Sequence, residues 1–216
     1  MSIEKGAFVE KINYQKKLES ILEHLPSDPV PRLLLHSCCG PCSTYVLEYL
    51  SDYFEISVYY FNPNIDPPSE YAFREAEQQR LIAELPTAHP VHFLRAPYDP
   101  SIYDQAVQGH ESDPERGPRC TLCFNLRLRA AAEIARAQHF DYFTTTLSIS
   151  PHKDAQLLNR LGERIGREYG VPYLPSDFKK KNGFKRSTEL TAAYGMYRQD
   201  YCGCRFSRLA RDAQCH

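Results

Sequence analysis

Seven of the eight cysteines in this 216-residue chain fall into three tight groups: Cys38/Cys39/Cys42, Cys120/Cys123 and Cys202/Cys204. Only Cys215 stands apart. Inert core thiols do not cluster in this way. No apolar leader follows Met1, and no apolar run approaches the ~18 residues a membrane helix needs, so the reading is a soluble, cytoplasmic protein. In a reducing compartment, grouped thiols signal metal binding or redox chemistry rather than structural disulfides. A closed structural zinc site takes four ligands, which leaves three of the seven thiols over. Four thiolates also suit a cubane iron–sulfur cluster, with three remaining for a redox pair or a second metal. Cys120-Thr-Leu-Cys123 is a CxxC that places both sulfurs on one face at the start of a helix, where the helix dipole favours thiolates. Cys202-Gly203-Cys204 would close a strained, labile ring if oxidised, which suits redox work. Adjacent residues normally direct their side chains apart, so Cys38 and Cys39 need not reach one metal atom.

These groups need a frame. Residues 32–37 carry three consecutive leucines and read as a buried strand ending at the first thiols. Further strands are expected over 54–61 (FEISVYYF), 91–94, 141–147 (DYFTTTL) and, shorter, 171–174. Helices are expected over 8–25, from Pro41 through the following apolar run, and over 70–85, 121–138, 153–168 and 188–197. Residues 98–118 hold turn signals, and a polar loop begins at 179. Alternating strands and helices predict an α/β fold, a parallel sheet covered by helices on both faces. In such sheets the site lies at the carboxyl ends of the strands. Residues 1–31 read as an N-terminal helical extension and 32–216 as one catalytic domain, closing in a C-terminal helical and loop segment.

A net charge of −1 provides no global field for nucleic acid. A local patch exists at 179–186, where Lys179, Lys180, Lys181, Lys185 and Arg186 surround Phe184. It can contact a phosphate backbone or simply be a solvated loop. Residues 144–154 (TTTLSISPHKD) put hydroxyls, His152 and Lys153 at another strand end, with Ser150 as the expected cap of the next helix. Residues 62–71 form a long turn containing the possible proton donors Asp66 and Tyr71. His36 precedes the thiols and is not expected to be a ligand. No pyrophosphate loop, GxGxxG or GxxxxGK[ST] follows any strand, so nucleotide cofactors lack support.

Taken together, HSCCGPC (36–42), FNPNI with Glu70-Tyr71, CTLC (120–123), TTTLSISPHKD (144–154), DFKKKNGFKRS (177–187) and YRQDYCGC (197–204) resemble the QueH-type epoxyqueuosine reductases over residues 32–206. The resemblance implies a Rossmann-like sheet related to adenine nucleotide α-hydrolases and PP-loop enzymes. It implies reduction of epoxyqueuosine at the wobble position of tRNA with GUN anticodons, the last step of queuosine synthesis, without cobalamin and with an external electron donor. Cys38, Cys39, Cys120 and Cys123 would hold a [4Fe-4S] cluster, and Cys202 and Cys204 would form a redox-active pair. In an alternative arrangement, some of these thiols and Cys42 hold an additional iron ion. Asp66, Tyr71 and His152 are the candidate acids, and the basic run would grip the anticodon stem. The rival readings are another Fe–S tRNA-modifying enzyme and a zinc-stabilised RNA-binding module.

Overall fold

The structure, a computed structural model, describes residues 11–214. Cys215 and the first residues of the expected 8–25 helix lie outside that range. Four parallel strands form one sheet in the order β3-β2-β1-β4: β1 (Arg32–His36), β2 (Glu55–Tyr60), β3 (Val91–Arg95) and β4 (Tyr142–Thr145). The leucine run of β1 alternates across the sheet. Leu34 points into a layer with Leu128, Ala131 and Ala132 of α5 (Pro118–Ala137) and Leu158 and Ile165 of α6 (Ala155–Tyr169). Leu33 and Leu35 point the other way, against Val46, Leu47 and Leu50 of α2 (Gly40–Leu50) and Leu81 of α3 (Pro68–Glu84). Leu18 and Leu22 of α1 (Tyr14–Leu22) join that second layer. Helices therefore cover both faces, as the buried strands require.

Some boundaries differ from expectation for local reasons. β4 stops at Thr145 because its hydroxyl accepts the Leu147 amide at 3.2 Å, turning residues 146–149 into a 3-10 helix. Asp154, not Ser150, caps α6, accepting the amides of Gln156 and Leu157 at 2.8 and 3.2 Å. The expected strand at 171–174 is reduced to a single bridge between Phe143 and Tyr173. In the 98–118 stretch, Asp99 accepts the Ser101 amide at 2.9 Å and caps a short helix, α4 (Pro100–Ala106). The helix expected at 188–197 is α7 (Gly183–Ala193), and α8 (Arg205–Gln214) closes the described chain.

α7 lies against α2 at close range. A Cβ at Gly183 would meet the Phe178 carbonyl oxygen and the Tyr45 ring closer than real Cβ atoms approach anything. Because one of those atoms is backbone, relief requires displacing α7. Gly183→Ala is expected to destabilise the fold by about 2–3 kcal/mol, read as a lower midpoint in urea unfolding with an unchanged slope.

Candidate metal centre

The first thiol group hangs from the carboxyl end of β1 on a fixed loop. His36 is buried; its Nδ1 accepts from the Thr145 hydroxyl at 2.9 Å and its Nε2 donates to the Phe61 carbonyl at 3.1 Å. Burial, aided by the charge of Arg127, holds the imidazole pKa down to about 3, so it is neutral and serves as a pin, not a ligand. Ser37 donates to Gln78 Oε1 at 2.7 Å, and Asn62 Nδ2 donates to the Ser37 carbonyl at 2.8 Å. Cys39 occupies the N-cap of α2 in an extended conformation without a side-chain capping bond, which leaves its sulfur free.

From this loop the sulfurs of Cys38, Cys39 and Cys42 converge, all within 4.8 Å of one another. Cys38 and Cys39, adjacent in the chain, bring their Sγ atoms to 3.8 Å. That separation is about the edge of a tetrahedron with ~2.3 Å metal–sulfur bonds, so the neighbours do reach a common point. Hydrogen bonds from Cys39 and Cys42 hold the Cys38 thiol well below its ordinary value. The contact with Cys38 pushes Cys39 up to about 12, and the contacts with Cys38 and Cys39 push Cys42 up. The trio thus favours one thiolate stabilised by two thiols, and full deprotonation calls for a cation among them. Gln199 Nε2 donates to Cys39 Sγ at 2.9 Å, and Thr146 Oγ1 donates to Cys38 Sγ at 3.5 Å.

The second pair lies in the first turns of α5, as expected, but burial overrides the helix dipole. It pushes Cys123 up to about 12 and raises Cys120, although the Arg116 amide donates to Cys120 Sγ at 3.3 Å. The third pair flanks Gly203, whose φ of +120° lies where a side chain is strained. There the Gly203 carbonyl accepts the Asp66 amide at 2.9 Å, tying the CxC turn to the β2 loop.

Two neighbouring cavities collect these groups. The smaller, about 220 Å³, is lined by Cys120, Cys123, Cys202, Cys204 and Arg127 among others. The larger, about 380 Å³, is lined by Cys38, Cys42 and Cys202. His152, Lys153, Cys202 and Ser207 border both. Two cations sit among the sulfurs, neither ion-paired among the described residues, although Glu115 borders both cavities and Asp154 the smaller one. Arg127, 2% exposed, donates from Nε to the Cys123 carbonyl at 3.3 Å and leaves Nη2 without a partner. Burial works against the Lys153 ammonium, but the nearby sulfurs of Cys202, Cys38 and Cys42 outweigh it and raise its pKa. Buried positive charge facing a set of sulfur donors fits an anionic, thiolate-bound metal group. Neither Arg127 nor Gln199 is singled out by the sequence reading. Arg127 was nonetheless within reach, since it follows Cys123 by four positions on the same helical face.

The candidate acids separate. His152 faces both cavities, and its Nδ1 accepts from Arg116 Nη2 at 2.9 Å. Asp66 is ion-paired to Arg208 at 2.5 Å, and Tyr71 stacks on Tyr98 at 4.1 Å, borders neither cavity and has its pKa raised by burial. In the basic run, Lys179 pairs with Asp177, Lys181 with Glu19, Lys185 with Glu189 and Arg186 with Glu48. Lys180 is exposed, with no ion pair among the described residues.

The family model of epoxyqueuosine reductase QueH matches residues 33–210, which include all three thiol groups. The chain belongs to the QueH family. An epoxyqueuosine reductase QueH of Streptococcus pyogenes is 44% identical over 198 residues, 90% of this chain and 78% of that protein. The QueH of Staphylococcus epidermidis is 43% identical over 93% of this chain and 86% of its own length. That of Thermotoga maritima is 30% identical over 83% and 91%. The QueH match leaves α1 and Cys215 outside, as the sequence resemblance did.

Proposed function

We propose that this chain reduces the epoxide of epoxyqueuosine in tRNA, the final step of queuosine synthesis, on an iron–sulfur centre and without cobalamin. The observation that carries the reading is the convergence of three sequence-distant thiol groups on two cavities that share Cys202. Cys38, Cys39, Cys120 and Cys123 are the proposed [4Fe-4S] ligands. Cys202 and Cys204 are the proposed redox pair, with Cys42 beside them for an additional iron ion. When bound, such a group supplies electrons and a Lewis acid for the epoxide oxygen.

The reaction takes two electrons from an external donor and two protons; both C–O bonds break, a C=C bond forms and the oxygen leaves as water. The chain must deliver the protons. Arg116 has no acceptor, so His152 Nδ1 accepts from it and the ring hydrogen sits on Nε2. His152 is the acid the geometry favours, because it alone of the three candidates borders the cavities. Lys153, between them, adds a fixed positive charge where the oxygen becomes anionic. His152→Gln is expected to retain iron and lower kcat by about 100-fold, measured as queuosine formed per unit time.

Among the described residues no helix is long and apolar enough to cross a membrane; we propose a cytoplasmic enzyme because its substrate is tRNA. Anaerobic reconstitution followed by nucleoside analysis of tRNA tests the activity. Unchanged epoxyqueuosine in the presence of full iron and a strong reductant would refute it. A zinc-loaded, colourless chain that binds RNA without reducing it would favour the non-enzymatic alternative.

A further inference from the structure

Most cations of the basic run at 179–186 are paired with acids of this same chain, which directs attention to a second surface for RNA. One other surface beside the larger cavity combines exposed rings with a free cation. Phe73 on α3 is 47% exposed and Tyr197 38% exposed, and the two rings meet edge to face at 5.0 Å. The next residue, Arg198, lines the larger cavity and is exposed. Its guanidinium lies 5.2 Å from the centre of the Phe184 ring, which lines the same cavity. Arg198 donates to the Thr188 hydroxyl at 3.1 Å and forms no ion pair among the described residues. Its charge and its outer planar face are therefore available.

We propose that Phe73, Tyr197, Arg198 and Phe184 form a stacking platform for unpaired nucleotides that flank the target base in an RNA loop. The inference rests on the function proposed above and adds the surface that holds its substrate. A base that must reach Cys38 and Cys42 has to leave its own stack, and the neighbours it abandons need new flat partners. Aromatic rings and an arginine plane supply such partners for any base. A duplex, in contrast, is held by a stripe of cations along its phosphates. In this chain, with net charge −1, most of the one dense basic run, at 179–186, is paired with acids. The platform is thus suited to single-stranded loop RNA.

The test is fluorescence polarisation with a labelled anticodon stem–loop at several salt concentrations, using the iron-loaded chain. The double variant Phe73→Ala/Tyr197→Ala is expected to bind about ten-fold more weakly with an unchanged salt slope. Arg198→Ala should weaken binding and reduce the slope by about one. Phe73→Tyr and Tyr197→Phe keep the rings and should bind as the wild type does. They serve to separate ring loss from damage to the fold. Unaltered binding by both the ring variant and Arg198→Ala would overturn the platform, whatever the enzyme reduces. If those variants weaken binding while the wild type fails to reduce epoxyqueuosine, the platform stands and the chemical reading falls.

Discussion

Cys39→Ala is expected to lose its iron and, with it, all measurable reduction of epoxyqueuosine. Cys39 is buried, its sulfur is 3.8 Å from that of Cys38, and the Gln199 amide points at it. In the metal-free chain its thiol is pushed up to about 12, chiefly by the neighbouring Cys38, so a bound metal must displace that proton. Loss of an outer partner such as Gln199 typically costs 10- to 100-fold in metal affinity, and loss of a ligand should cost at least about 100-fold. The fold should survive, because exchanging a buried sulfur for hydrogen leaves a small cavity worth about 1 kcal/mol. Iron per chain after anaerobic reconstitution, set against the unfolding midpoint, separates the two effects. Cys204→Ser, which alters the proposed redox pair rather than a proposed cluster ligand, should keep its iron and lose turnover. Full iron in Cys39→Ala would remove Cys39 from the ligand set.

How much of this was legible in the sequence depends on how local each cause is. Leu33–Leu35 announce a buried strand, because three consecutive apolar residues fit only a sheet covered on both faces. The thiols that follow then fall at its carboxyl end by connectivity alone. α8 was not given bounds, although Phe206, Leu209, Ala210 and Ala213 follow the i, i+3, i+4, i+7 spacing of an amphipathic helix. The ion pairs of the basic run were hidden for a different reason. Five cations in eight residues look free, yet Lys181 and Arg186 meet Glu19 and Glu48, more than 130 positions away, and no local pattern encodes those partners. The proton donors were equally ambiguous: Asp66, Tyr71 and His152 are chemically plausible, and only the packing of Tyr71 on Tyr98 and the Asp66–Arg208 pair sets them apart. The thiols at the start of α5 illustrate competing terms. The helix dipole favours thiolate, but desolvation at Cys123 is larger.

Arg127→Met should change the metal-free and metal-loaded forms in opposite directions. The guanidinium is 2% exposed, has one hydrogen bond to the Cys123 carbonyl and leaves Nη2 unpaired. Burial disfavours its charge, and the neighbouring sulfurs of Cys123, Cys202 and Cys38 favour it. In the metal-free chain burial keeps the Cys123 proton on, so the cation is only partly compensated. Replacing such a buried charge by an apolar side chain of similar length is often neutral or stabilising, by up to a few kcal/mol. The metal-free variant should therefore unfold at an equal or higher urea concentration. With the proposed iron–sulfur group bound, the same cation would lie beside an anionic centre that each added electron makes more negative. Removing Arg127 withdraws stabilisation from the reduced form more than from the oxidised form, so the reduction potential should fall. Redox titration followed by absorbance reads this directly, and turnover with a weak donor should drop while turnover with a strong one recovers. A purely structural arginine would give the opposite pattern: a less stable metal-free chain and an unmoved potential.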